Sequence, residues 1–133
     1  MLTNAYAQYK KQSLSTMAPG ELLVKLFDEL IKQCRLAVIH IEKKDLAAAN
    51  ESLMKSQTIV STLDSSLDMR YPISGELHNF YIFFAQQIRK ANLEKNVNIL
   101  NELVPLLKEL RDSFTQAEKL SRCNQPGVGV KAV

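Results

Sequence analysis

The sequence predicts an all-α fold, an antiparallel up-down-up-down four-helix bundle with a short N-terminal arm or helix. Three observations predict it. Apolar residues recur at spacings of three and four through four successive stretches, the pattern of amphipathic helices. The links between those stretches are short, Lys43-Lys44, Arg70 to Ile73 and Leu93 to Lys95, and short links make neighbouring helices antiparallel. Each stretch is about 18 to 25 residues, or about 27 to 37 Å as a helix, so four fit side by side.

The first stretch, Glu21 to Glu42, places Leu23, Leu26, Phe27, Leu30, Ile31, Cys34, Ala37, Val38 and Ile41 on one stripe. Charged residues fill the other side, with Glu21–Lys25 and Asp28–Lys32 as favourable i,i+4 pairs. The second runs from Leu46 to about Met69 on Leu46, Ala49, Leu53, Ser56, Val60, Leu63 and Leu67. Asp45 before it is an N-cap, because its carboxylate accepts from the free N–H groups of the first turn. The third, Gly75 to Asn92, carries Leu77, Phe80, Tyr81, Phe84, Ile88 and Ala91, with Ser74 as the expected cap. The fourth, Val97 to Ser121, carries Val97, Leu100, Val104, Leu107, Leu110, Phe114 and Ala117, with Asn96 as its cap. Pro105 lies inside it. Proline removes one backbone bond there, and the apolar period continues in phase across it, so a kink and not a break is expected.

These stretches divide the chain into an N-terminal arm (1–18), a bundle (19–122) and a flexible C-terminal tail (123–133) with the linker composition Asn-Gln-Pro-Gly. At 133 residues, one core can hold such a domain without metal or disulfide. The net charge is +3 with both signs interspersed, which excludes the clustered basic stripe of a nucleic-acid site. Cys34 falls on an apolar stripe and Cys123 in the tail. They form neither a disulfide framework nor a CxxC zinc motif, and two free thiols fit a reducing cytosol. Residues 1–12 lack the apolar run of a signal peptide, and no stretch has the roughly 18 apolar residues of a membrane span. A cytoplasmic location without membrane insertion is the resulting expectation.

Catalysis finds little to work with. Di-iron bundles need Glu-x-x-His pairs aimed into the core; neither His40 nor His78 has a glutamate three residues before it. Phosphate-binding loops and nucleophile elbows are missing as well. No catalytic residue, metal or cofactor is therefore expected. His40 and Lys43 form a His-x-x-Lys on a helix, as in histidine phosphotransfer modules, but Glu42 and Asp45 would repel a phosphate there. A phosphotransfer module using His40 stands as one alternative function. A helical assembly protein that dimerises through its off-stripe apolar residues stands as another. Those residues are Leu22, Leu36, Ile39, Ile59, Ile82 and Leu106, and gathered on the surface they would form a partner groove.

The order of motifs resembles the bacterial flagellin export chaperones, the FliS family. Asn4-Ala5-Tyr6-Ala7-Gln8-Tyr9-Lys10 is similar to that family's tyrosine-bearing arm, and Thr16-Met17-Ala18-Pro19-Gly20-Glu21-Leu22 to its first helix start. Leu26-Phe27-Asp28-Glu29-Leu30-Ile31 resembles its Leu-Tyr-Asp-Gly-Ala-Ile, and Leu110-Arg111-Asp112-Ser113-Phe114 its Leu-Arg-Asp-Ala-Trp. Ala49 to Asp68, Leu77 to Tyr81 and Ala91-Asn92-Leu93 match the intervening helices, so the resemblance spans about residues 4 to 120. The chain departs from the pattern at Ala18, where the family has a capping serine, and at Glu29-Leu30, where it has Gly-Ala.

The resemblance implies a cytoplasmic secretion chaperone that binds the disordered C-terminal segment of flagellin. It covers that segment against premature polymerisation and delivers it to the flagellar export gate. A disordered amphipathic client can fold into helix grooves as it binds. Other flagellar regulators are further partners that the resemblance allows, with the chain itself a monomer or a homodimer. On this reading Tyr6 and Tyr9 anchor the arm, and Leu22, Leu36, Ile39, Ile59 and Ile82 contact the client.

Overall fold

The computed structural model describes residues 19–123. They form four helices: α1 (Pro19–Glu42), α2 (Leu46–Ser65), α3 (Pro72–Glu94) and α4 (Val97–Cys123). Each packs on the helix before and after it in the chain, and α4 closes the ring on α1. The pairings of α1 with α2 and with α4 are the most extensive, and that of α3 with α4 is the sparsest. Contacts fix the direction of two pairs. Asp64, Gln57 and Asn50 of α2 meet His78, Ala85 and Asn92 of α3 in reverse order. Phe27 and Asp28 at the start of α1 meet Phe114 and Arg111 near the end of α4. Both pairs are antiparallel.

The helix ends follow local chemistry. α1 stops in a Schellman motif: the Asp45 N–H donates to the His40 carbonyl at 2.8 Å, and the Lys44 N–H to that of Ile41 at 2.9 Å. Lys44 takes φ 62°, and Lys95 takes φ 49° at the same kind of stop after α3. A lysine in the left-handed region costs on the order of 1 kcal/mol against glycine. Lys95 offsets this, because its Nζ donates to the Asn92 carbonyl at 2.8 Å and to Asn92 Oδ1 at 2.7 Å. Two of the three expected caps form: Asp45 Oδ1 accepts from the Ala48 N–H at 3.2 Å, and Asn96 Oδ1 from the Asn98 N–H at 2.9 Å. α4 runs unbroken through Pro105, which is exposed, so its ring faces water.

Three sequence expectations are corrected here. α2 ends at Ser65, short of Met69, because hydroxyls and a carboxylate take over the backbone groups. Ser66 Oγ donates to the Leu63 carbonyl at 2.8 Å, and Asp68 accepts from both the N–H and the guanidinium of Arg70. α3 starts at Pro72, ahead of Gly75, with the extended Tyr71 before it; proline suits the first turn because its missing N–H would have no partner there. Ser74 is consequently not a cap. It is 4% exposed, and its Oγ donates to the Asp68 carbonyl at 2.6 Å, tying α3 to the turn.

The core sits where the four stripes converge. Phe27, Leu30, Cys34, Leu53, Leu63, Ile88, Leu100 and Leu107 are sealed in it. A chain of rings crosses it: Phe114 to Phe27 at 5.6 Å between centroids, Phe27 to Tyr81 at 6.3 Å, and Tyr81 to Phe84 at 6.2 Å. Burial pushes the Cys34 thiol up to about 11, against a weaker pull from Ser56. Burial also pushes the Tyr81 phenol up to about 12, with the Asp64 charge adding to it. Leu46, Phe80 and Ala117, expected on core stripes, are exposed.

Candidate partner-binding surface

The sequence points to a surface that holds another protein, so the relevant question is which apolar side chains the ring of helices leaves uncovered. The phase of α3 answers it. At about 100° per residue, His78, Ala85 and Asn92 share one flank, and their bonds show that this flank faces α2. The core stripe of Leu77, Tyr81, Phe84 and Ile88 lies next to it. The far flank, carrying Ile73, Phe80 and Phe83, therefore turns toward α4. On α4, Arg111 marks the side toward Asp28 of α1. Across the core stripe of that helix, Ile99, Leu106, Leu110 and Ala117 turn toward α3.

The α3–α4 seam is thus lined by apolar side chains from both helices, and the two helices meet least there. Phe80 is 50% exposed, Phe83 41% and Leu106 45%. Both exposed rings rest on the buried Phe84, at 6.1 and 6.2 Å between centroids. The two exposed rings thus share one buried ring as their support. Ile73, 57% exposed in the first turn of α3, lies on the same flank. Fully covering such a side chain contributes about 1.5–3 kcal/mol, so a partner seated along this strip has a large apolar drive.

The sequence-predicted contact residues do not gather into one site. Ile39 is exposed on the outer side of α1, and Leu22 and Leu36 are half-buried on the α1 flank next to α2. Ile82 is 42% exposed on α3, which lies diagonally across the ring from α1. Ile59 is a correction: it is wholly buried. It lies off the strict α2 stripe but on the flank toward α1, inside one of the two most extensive helix pairings, and it has no surface to offer. Tyr6 and Tyr9 lie outside the described residues. His40 is half-buried in the last turn of α1, where its carbonyl is occupied by the Schellman bond.

The FliS family profile, described as flagellar protein FliS, matches residues 2–121. The chain belongs to the FliS family. Its relatives agree in name. A flagellar secretion chaperone FliS of Bacillus subtilis (strain 168) is 30% identical over 128 residues, covering 96% of both chains. Proteins of the same name from Campylobacter jejuni and Vibrio cholerae are 24% and 25% identical, over 84% and 81% of this chain and 89% and 84% of theirs. Membership accounts for the ordered motifs of the sequence. No described helix is long and apolar enough to cross a membrane.

Phe80 and Phe83 are exposed seam residues that the sequence reading did not offer as contacts. The aromatic run Phe80-Tyr81-Ile82-Phe83-Phe84 was the available signal. Five large apolar residues in a row exceed what one helical stripe can bury, so some of them must face outward.

Proposed function

We propose that this chain is a secretion chaperone of the cytoplasm that binds the disordered C-terminal segment of flagellin, prevents its premature polymerisation and supports its export. The observation that carries this reading is a FliS-family bundle whose α3–α4 seam exposes Phe80, Phe83 and Leu106 on a solid aromatic floor. A disordered amphipathic segment can fold onto such a strip, covering its own apolar face and the strip together. The cost of ordering it offsets part of the gain and keeps the complex releasable at the export gate. Tyr6 and Tyr9 of the arm, with Leu22, Leu36, Ile39 and Ile82, supply further contacts in this reading. A client that touches all of them runs across more than one helix.

Co-expression with full-length flagellin followed by size-exclusion chromatography tests the proposal. A stable complex that is lost when the flagellin C-terminal segment is deleted supports it. No complex, or one indifferent to that deletion, contradicts it. The same chromatogram read without flagellin reports whether the chain alone is a monomer or a homodimer.

A further inference from the structure

The α3–α4 seam carries a charge pattern that its apolar floor does not explain. Helix phase places Glu76 beside Phe80 and Glu94 on the same flank at the far end of α3, and Glu102 and Glu109 beside Leu106 on the facing flank of α4. All four are exposed, and none belongs to an ion pair among the described residues. Glu94 accepts one long bond, from the Asn96 amide at 3.4 Å. One cation shares the α3 flank, Lys90, about 20° beyond Phe83 and four residues before Glu94, so the rim holds four carboxylates to one ammonium; no Lys or Arg among the described residues lies on the α4 flank. The whole chain is +3, so a predominantly negative rim is a local feature and not the general character of the surface.

We infer that this seam seats an amphipathic helix whose apolar stripe is bordered by lysine or arginine. The floor and the rim together specify that chemistry. Phe80, Phe83, Leu106 and Leu110 meet the stripe, while Ser113 and Ala117, small and exposed, leave room for it along the α4 side. The glutamates meet the cationic borders. A second copy of this chain would bring the same four carboxylates against these, and like charges across an interface select against the pairing. An anionic bilayer surface is repelled for the same reason. The inference goes beyond the flagellin reading, because it fixes the charge of the occupant whichever protein supplies it.

Two synthetic helical peptides of about five turns test it by fluorescence anisotropy against the full chain. They share one leucine stripe, bordered by lysine in the first and glutamate in the second. The lysine peptide binds about tenfold more tightly at low salt, from several rim charges of modest individual strength. The gap narrows severalfold at about 0.5 M salt, where the screening length is only a few ångströms. Glu102→Lys with Glu109→Lys reverses the preference, and Glu102→Gln with Glu109→Gln weakens it. Circular dichroism melting checks that these exposed substitutions keep the fold. Phe83→Ser weakens both peptides equally.

Equal affinity for the two peptides at low salt overturns the inference, as does a preference that survives charge reversal. Dimerisation that Phe83→Ser abolishes, or binding of phosphatidylserine vesicles through the seam, overturns it too. The flagellin reading is judged separately by the chromatography above, so either can fail without the other.

Discussion

α3 meets its two neighbours in opposite ways. Toward α2 it presents a polar ladder. Asn92 donates to Asn50 Oδ1 at 2.9 Å, the Ala85 carbonyl accepts from Gln57 at 3.2 Å, and His78 Nδ1 pairs with Asp64 at 2.6 Å. Successive rungs are seven residues apart on both helices, or about two turns, so the ladder fits one register and resists a slip. Toward α4 the same helix offers phenylalanine and isoleucine, half in water, to the neighbour it meets least. A seam closed by directional bonds fixes the bundle's geometry. A seam closed incompletely by apolar side chains leaves surface for another molecule. One helix does both because its two flanks lie on either side of a single core stripe.

The largest test of this contrast is Phe84, whose ring supports Phe80 and Phe83 from inside the core. Phe84→Ala costs about 3–5 kcal/mol of stability, the usual result of deleting a buried ring, and chemical denaturation measures it. Phe83→Ala costs less than about 1 kcal/mol by the same method, since its ring is already partly in water. If the two losses were alike, the seam would be core and not surface.

On the closed side, Gln57→Ala removes the middle rung and lowers stability by about 1 kcal/mol while leaving flagellin binding unchanged. A loss of binding as large as that from Phe83→Ala would erase the distinction between the seams.

Alkaline titration probes the sealed interior between them. The fold holds the Cys34 thiol and the Tyr81 phenol neutral, with pKa values raised from 9.0 to about 11 and from 10.0 to about 12. The folded chain therefore keeps protons that the unfolded chain releases. Their contribution is complete below about pH 9 and is lost as pH rises through 11 and 12. The denaturation midpoint should be level up to pH 9 and fall beyond it. Cys34→Ala should delay the onset toward pH 10, and an onset below pH 8 would contradict the assignment.

The smallest effect concerns the two left-handed lysines. Lys44→Gly should raise stability by about 0.5–1 kcal/mol. Lys95→Gly should gain less, because it also loses the ammonium that caps α3. Equal gains in the denaturation midpoint would show that the Lys95 bonds contribute nothing.

Much of the fold is legible in the sequence, because spacings of three and four fix which face of a helix is apolar without reference to the other helices. The caps Asp45 and Asn96 are legible for a similar reason: they act within one turn. What is not legible depends on the neighbour. Ile59 and Phe80 each lie on a flank of their helix, outside the strict stripe or at its margin. Ile59 is buried on the flank where α1 and α2 meet extensively, and Phe80 is exposed on the flank where α3 and α4 meet least. Ser74 could not be placed either, since its partner is a carbonyl in a turn that the helical period extended through. The candidate surface is a property of helix pairing, which explains why only its aromatic excess shows in the sequence.

Calorimetric titration of the flagellin C-terminal segment into the native chain, a Phe80→Ser/Phe83→Ser variant and a Met54→Ser variant tests the central claim most directly. Met54 is 55% exposed, as open as Phe80, but on the outer side of α2, away from the seam. The account predicts that the double variant loses at least about a hundredfold in affinity, two covered rings being worth about 3 kcal/mol or more, while Met54→Ser binds as the native chain does. Equal affinity in all three would contradict it.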